Sequence, residues 1–152
     1  MPALSRRQFL ALTATLAGAG SLSAETLPTI HVTKDPGCGC CKDWIGHVRD
    51  AGFSVTFEDM APEPLAALKV SLGLQAGQTS CHTAQVDGYV IEGHVPATDV
   101  IHLLADRPEA IGLAVPGMPW GSPGMGPESE REPFDVLLVA KDGSARVFAH
   151  YE

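Results

Sequence analysis

Positive charge is scarce in this sequence. Ten Lys and Arg stand against eighteen Asp and Glu, a formal charge of −8. The only charges before Glu25 are Arg6 and Arg7, so without them 8 basic side chains face 18 acidic ones, a net charge of −10. A surface of that sign repels phosphate backbones and anionic membranes, which excludes nucleic acid as a partner and modestly favours cations. Long apolar runs are also missing beyond residue 24, so the mature chain has no segment that could insert into a bilayer. No internal repeat is present, and 152 residues fit one domain. A Ser-His-Asp set, a phosphate-binding loop and a paired-carboxylate arrangement are absent too, which leaves the common hydrolytic and phosphoryl-transfer chemistries without residues. With 45% hydrophobic content the chain is too apolar for disorder.

The first 24 residues form an address rather than part of a fold. A basic start is followed by a short, mildly apolar stretch rich in Ala, Leu, Thr and Gly, and by small residues near Ser21–Ala24. Ser5-Arg6-Arg7-Gln8-Phe9-Leu10 matches the twin-arginine export pattern, and the weak hydrophobicity of Ala11–Ala19 suits that route. The expected organisation is a twin-arginine signal peptide at 1–24 and one domain at 25–152, in the bacterial periplasm. That compartment is oxidising, which bears on every cysteine.

Along the mature chain, Thr29–Thr33 reads as a first strand, and Asp35-Pro36-Gly37 turns into a cysteine cluster. Trp44, Ile45 and Val48 give Cys41–Ala51 a helical face, with Gly52 to stop it. Phe53–Glu58 alternates as a strand, and Pro62–Leu72 reads as a helix closed by Gly73. Thr83–Val86 and Tyr89–Glu92 flank Asp87-Gly88, a hairpin signal. Pro96–Ala105 reads as a third helix with Val100, Leu103 and Leu104 buried. A loop dense in Gly, Pro and Met runs from Val115 to Gly126, and Phe134–Ala140 with Ala145–Ala149 make a C-terminal hairpin around Asp142-Gly143. The order β-α-β-α-β-β-α, with a cysteine motif opening the first helix, is an α/β, thioredoxin-like arrangement.

Cys38-Gly39-Cys40-Cys41 places three thiols in four residues at a helix N-terminus. Free N–H groups and the helix dipole favour thiolate there, and Lys34 and Lys42 add positive charge. Two uses compete. A dithiol–disulfide oxidoreductase needs only Cys38 and Cys41, and Cys40 would invite wrong exchange. A soft-metal cluster gains from every bridging sulfur, and thiolate and thioether donors select Cu(I). The fourth cysteine favours metal. Cys81-His82 directly precedes the strand at Thr83, where thioredoxins carry a proline beside the first helix. All four cysteines can therefore converge. Structural disulfides would need two bridges, and one between the adjacent Cys40 and Cys41 is strained. Structural zinc lacks its usual paired Cys-x-x-Cys spacing.

His82, by adjacency to Cys81, and His94, in Gly93-His94-Val95-Pro96, are candidate imidazole ligands. Met118 and Met125 lie seven apart in the proline-stiffened loop, on neither helix nor strand, and are candidate thioether ligands; packing over the core is their alternative use. His31, His47, His102 and His150 read as structural or surface residues, with His47 on the polar side of the first helix.

Four motifs in order, Cys-Gly-Cys-Cys-Lys-x-Trp (38–44), Ser-Cys-His-Thr-Ala (80–84), Gly-His-Val-Pro (93–96) and the Gly/Pro/Met stretch at 112–125, resemble the CopG-like copper-resistance proteins, small exported metal-binding proteins. The resemblance covers nearly all of the mature chain. It implies a thioredoxin-like fold and a cysteine-bridged copper cluster on Cys38, Cys40, Cys41 and Cys81. It also implies a role in periplasmic copper handling, with Cu(I)/Cu(II) cycling. Apart from the resemblance, the expected partners are copper ions and a copper efflux or chaperone protein, though no partner motif is readable. Export has its own check: the intact mass of periplasmic protein should correspond to a chain beginning near Glu25, and a mass that retains Met1 or Pro2 would contradict cleavage.

Overall fold

The computed structural model describes residues 26–152, so the expected signal peptide lies outside the described residues. The described chain is a seven-stranded mixed sheet with three α-helices. In order these are β1 (Ile30–Lys34), α1 (Gly39–Asp50), β2 (Val55–Asp59), α2 (Pro62–Ser71), β3 (His82–Val86), β4 (Tyr89–Glu92), α3 (Ala97–Asp106), β5 (Gly112–Ala114), β6 (Phe134–Val139) and β7 (Ala145–Tyr151), with short 3-10 turns at Ala76–Gln78 and Glu128–Glu130. The strands lie in the order β2-β1-β3-β4-β5-β6-β7. β1 runs parallel to β2 and β4 parallel to β5, and the remaining neighbours are antiparallel. No helix among the described residues is long and apolar enough to cross a membrane.

The two faces of the sheet follow from strand alternation. Val32, Ala84, Ile91, Leu113 and Leu138 point to one face, where Trp44, Ile45 and Val48 of α1 and Val100 and Leu103 of α3 complete the main core. Val90, Ala114 and Val139 point to the other and form a smaller cluster with Leu74. Thr83 and Glu92 also lie on that second face, beneath α2, whose Lys69 reaches both.

Two boundaries differ from the sequence reading in ways that matter. Helix α1 begins at Gly39 rather than Cys41, so Cys40 and Cys41 lie in its first turn and Cys38 is its N-cap. Strand β3 begins at His82, so that residue is in the sheet rather than before it. The sequence reading also lacks β5. Three residues opening on glycine give no alternation to read, yet β5 joins the C-terminal hairpin to the rest of the sheet. Its pairing with β4 needs a close backbone approach at Gly112, where an added methyl would overlap the Val90 carbonyl. Gly112→Ala should therefore lower stability by about 3 kcal/mol. Gly77→Ala, where a methyl meets nothing within 4 Å, should stay within about 0.5 kcal/mol of the parent. Equal denaturant midpoints for the two would contradict this role for β5.

Candidate metal centre

Pairing of β1 with β3 brings the cysteines together. Lys34, the last residue of β1, sits opposite His82, the first of β3. The chain leaving Lys34 turns at Asp35, whose carboxylate accepts from Gly37 N–H at 2.7 Å, and enters α1 at Cys38. The Cys38 sulfur accepts from Cys41 N–H at 3.3 Å, capping the helix. Cys81 arrives from the other side. Its Sγ lies 3.8 Å from Cys40 Sγ and 3.6 Å from Cys41 Sγ, and Cys40 Sγ is 3.6 Å from Cys38 Sγ. The expected convergence of all four cysteines is present. Cys38 and Cys41 are joined as a disulfide, with Cα atoms 5.4 Å apart, while Cys40 and Cys81 are free.

Both candidate histidines meet Cys81. His94 Nε2 is 3.1 Å and His82 Nδ1 3.3 Å from its sulfur. His94 Nδ1 lies 2.7 Å from the Pro123 carbonyl, an acceptor only, so Nδ1 carries the proton and the Nε2 lone pair faces Cys81. His82 is fully buried between Trp44, with ring centres 4.5 Å apart, and His94. Its Nε2 is buried without a hydrogen-bond partner. Burial of an unpartnered ring nitrogen costs free energy that a ligand would recover. Trp44 Nε1 donates to the Val95 carbonyl at 2.8 Å and so fastens α1 to the segment carrying His94.

The environment keeps these groups uncharged. Burial lowers the pKa of His94, and burial together with His94 and Lys69 lowers that of His82 well below its ordinary value. Burial and the neighbouring Cys40 push the Cys81 thiol up to about 12. Lys34, expected to supply positive charge to the thiols, instead holds Asp59 at 2.5 Å and the Asp35 carbonyl. A cation entering this pocket would therefore take the place of the Cys81 proton.

The Gly/Pro/Met loop closes over the site at two points. Ser80 Oγ donates to the Gly117 carbonyl, and Gly117 N–H donates to the Thr79 carbonyl at 3.0 Å. Farther along, Gly124 packs against the first turn of α1. It has a φ of +84°, and a side chain there would meet Trp44 N at 2.7 Å and the Cys40 carbonyl at 2.9 Å. Met118 and Met125 thus each neighbour an anchored glycine. Met118 is exposed and Met125 half-buried.

His47, read as a structural or surface residue, is structural. It is half-buried, and its Nε2 accepts the Ala97 N–H at 3.0 Å, which caps α3 from outside. Its place on α1 beside the buried Trp44 was the available signal. His31, His102 and His150 lie partly or wholly exposed, as expected. Sequence reasoning also missed the Pro123 carbonyl and a buried charged pair, Lys69 and Glu92, because nothing local marks either.

Four cysteine sulfurs, two of them joined as the Cys38–Cys41 disulfide, and two neutral imidazoles in one partly buried cluster define a small mixed α/β protein whose cysteines can hold a metal ion. Sulfur atoms of Cys38, Cys40, Cys41 and Cys81 form one group of possible ligands, and Cys81, His82 and His94 a second that shares Cys81. Two solved structures, copper resistance protein CopG in Form 1 and Form 2, are 43% and 42% identical to this chain. They cover 82% and 83% of it and 98% and 99% of their own chains, with TM-scores of 0.77 and 0.76. This chain belongs to the CopG family of copper resistance proteins. A family model described as a protein of unknown function, DUF411, matches residues 78–125, which include Cys81, both histidines and both methionines. No curated protein matches the chain.

The neutral imidazoles make the metal-free protein sensitive to acid. His47, His82 and His94 all have folded pKa values below the ordinary 6.5. A depressed folded pKa means that the unfolded chain binds more protons. The stability these groups contribute is therefore complete above 6.5 and is lost as pH falls toward the folded values. His150, raised by Asp135 but exposed, acts in the opposite sense, and so do the carboxyls of Glu92 and Asp99, raised by burial. The ordinary values of those carboxyls, 4.5 and 3.8, lie below the imidazole range. The urea midpoint of metal-free protein should be lower at about pH 5.5 than at about pH 7.5. An unchanged or higher midpoint at the lower pH would contradict the neutral assignment.

Proposed function

We propose that this chain is an exported, periplasmic copper-binding protein that holds Cu(I) as a cysteine-bridged cluster in copper resistance and homeostasis. The observation that carries the reading is Cys81. It reaches Cys40 and Cys41 across 40 residues of sequence and also meets two buried neutral imidazoles, one with a ring nitrogen lacking any partner. A dithiol enzyme has no use for that convergence, whereas soft thiolates with imidazole suit copper. In this reading Cys38, Cys40, Cys41 and Cys81 supply sulfur and His82 and His94 supply nitrogen. Met118 and Met125, on a loop anchored beside the site, supply thioether. The order β2-β1-β3-β4, with α1 and α3 against one face and α2 against the other, supports a thioredoxin-like assignment for this part of the chain. The twin-arginine segment supports export to the periplasm, where a copper efflux or chaperone protein is the partner.

The Cys38–Cys41 disulfide favours a second reading, a thiol–disulfide oxidoreductase. Closing that bond releases two protons and two electrons to an acceptor and withdraws two sulfurs from the cluster. Cys40 separates the two readings. Cys40→Ser should lower the Cu(I) bound per reduced protein, and Cys81→Ser should do the same, while oxidised protein binds less copper than reduced. Metal analysis on anaerobic preparations measures all of these, and disulfide-reductase activity is read on the same samples. Unchanged copper binding in Cys40→Ser, with reductase activity lost only on changing Cys38 or Cys41, would overturn the copper reading.

A further inference from the structure

Beneath the centre, on the other face of the sheet, lies a charged pair that the donor set does not use. Lys69 of α2 and Glu92 of β4 are both buried, Glu92 completely. Lys69 Nζ lies 2.5 Å from Glu92 Oε1 and donates to Thr83 Oγ1 at 2.7 Å. The carboxylate has two further partners. Its Oε1 accepts the Ser80 N–H at 2.7 Å, and its Oε2 accepts the Thr83 hydroxyl at 2.6 Å. Ser80 and Thr83 are the residues immediately before and after Cys81-His82. Glu92 is also two residues before His94, and its backbone carbonyl accepts Val115 N–H at 3.0 Å, where the Gly/Pro/Met loop begins.

A buried ion pair is weak evidence for stability, because desolvation offsets most of the attraction and well-packed apolar residues often serve as well. What apolar residues cannot do is accept the Ser80 N–H. The hydrogen bonds of this pair are directed at the backbone that carries the donors. Space is tight there as well: a side chain at Gly93 would meet Ser80 Cβ at 2.5 Å.

We propose that Glu92, held by Lys69, is the positioning residue of the metal centre, one carboxylate setting where Cys81, His82 and His94 stand relative to one another. The inference rests on the copper reading for its ligand but not for its geometry. With Glu92 in place the Ser80–Cys81 peptide is fixed, and Cys81 stays against Cys40 and Cys41. Without it the peptide gains freedom that metal binding must then remove, so affinity falls while the three-thiol end of the site remains.

The test compares the parent, Glu92→Gln and the double variant Lys69→Met with Glu92→Leu, all as the full mature chain. Cu(I) affinity is measured anaerobically by competition with bicinchoninate. Alkylation of Cys81 by iodoacetamide is measured by peptide mapping on metal-free protein with the Cys38–Cys41 bond closed. Glu92→Gln keeps an acceptor for Ser80 and should hold affinity within about threefold. The double variant should lose about tenfold to a hundredfold in affinity, as supporting residues of metal sites do, and its Cys81 should alkylate faster. A folded double variant with parental affinity and parental alkylation rate would overturn the proposal. If the apolar pair does not fold, Thr83→Val removes the two hydrogen bonds that its hydroxyl makes in the clamp, from Lys69 and to Glu92, and is read in the same way, faster Cys81 alkylation supporting it and an unchanged rate overturning it. Failure of the parent to bind Cu(I) would sink the copper reading alone, because the alkylation rate reads the clamp without metal.

Discussion

The site depends on one pairing, that of β1 with β3. With Lys34 opposite His82, the chain leaving β1 and the chain entering β3 are neighbours at the same end of the sheet. Cys38 then follows Lys34 by four residues and Cys81 precedes His82 by one, so no long loop has to be ordered to bring them together. A register slip of one residue would turn His82 to the opposite face and away from Trp44. Helix α1 adds the remaining constraint. Trp44 packs on the His82 ring while its indole N–H holds the Val95 carbonyl, so the helix that presents Cys40 and Cys41 also fixes the segment bearing His94. Core packing and site geometry are the same set of contacts.

The pocket's electrostatics suit a soft cation arriving from outside. The chain carries a formal charge of −8, which attracts cations at long range, yet the pocket holds neutral imidazoles and a thiol pushed up to about 12. An anionic pocket of that size would be costly without a counter-charge, and protonation removes the cost. Hard cations, which keep oxygen ligands, have little to gain from such a lining. Membership of the CopG family agrees with this chemistry.

Much of the centre was legible because its parts are short and local. Three thiols in four residues and a helical face at Trp44, Ile45 and Val48 can be read without tertiary information, and Cys81 was placed by its position before a strand. The move of Cys40 into the first turn of α1, beside Cys41, follows from Cys38 acting as cap, which a sulfur rarely signals. What escaped was set by distant partners. Strand β5 exists because β4 and β6 flank it, and its three residues have no period of their own. Lys69 and Glu92 are 23 residues apart, and nothing in either neighbourhood marks a buried pair. Whether His47 was structural or at the surface could not be told locally, because the N–H it accepts belongs to Ala97, 50 residues away. The raised thiol of Cys81 is likewise a property of burial, which the helix-dipole argument for its three partners does not reach.

The central claim is that sulfur and imidazole from these separate elements close on one cysteine-bridged soft-metal cluster. X-ray absorption at the copper edge, on reduced chain loaded anaerobically with Cu(I), tests it most directly. The account predicts a first shell dominated by sulfur, a minor imidazole contribution and a copper–copper distance from bridging thiolates. A shell of oxygen and nitrogen without sulfur would contradict it.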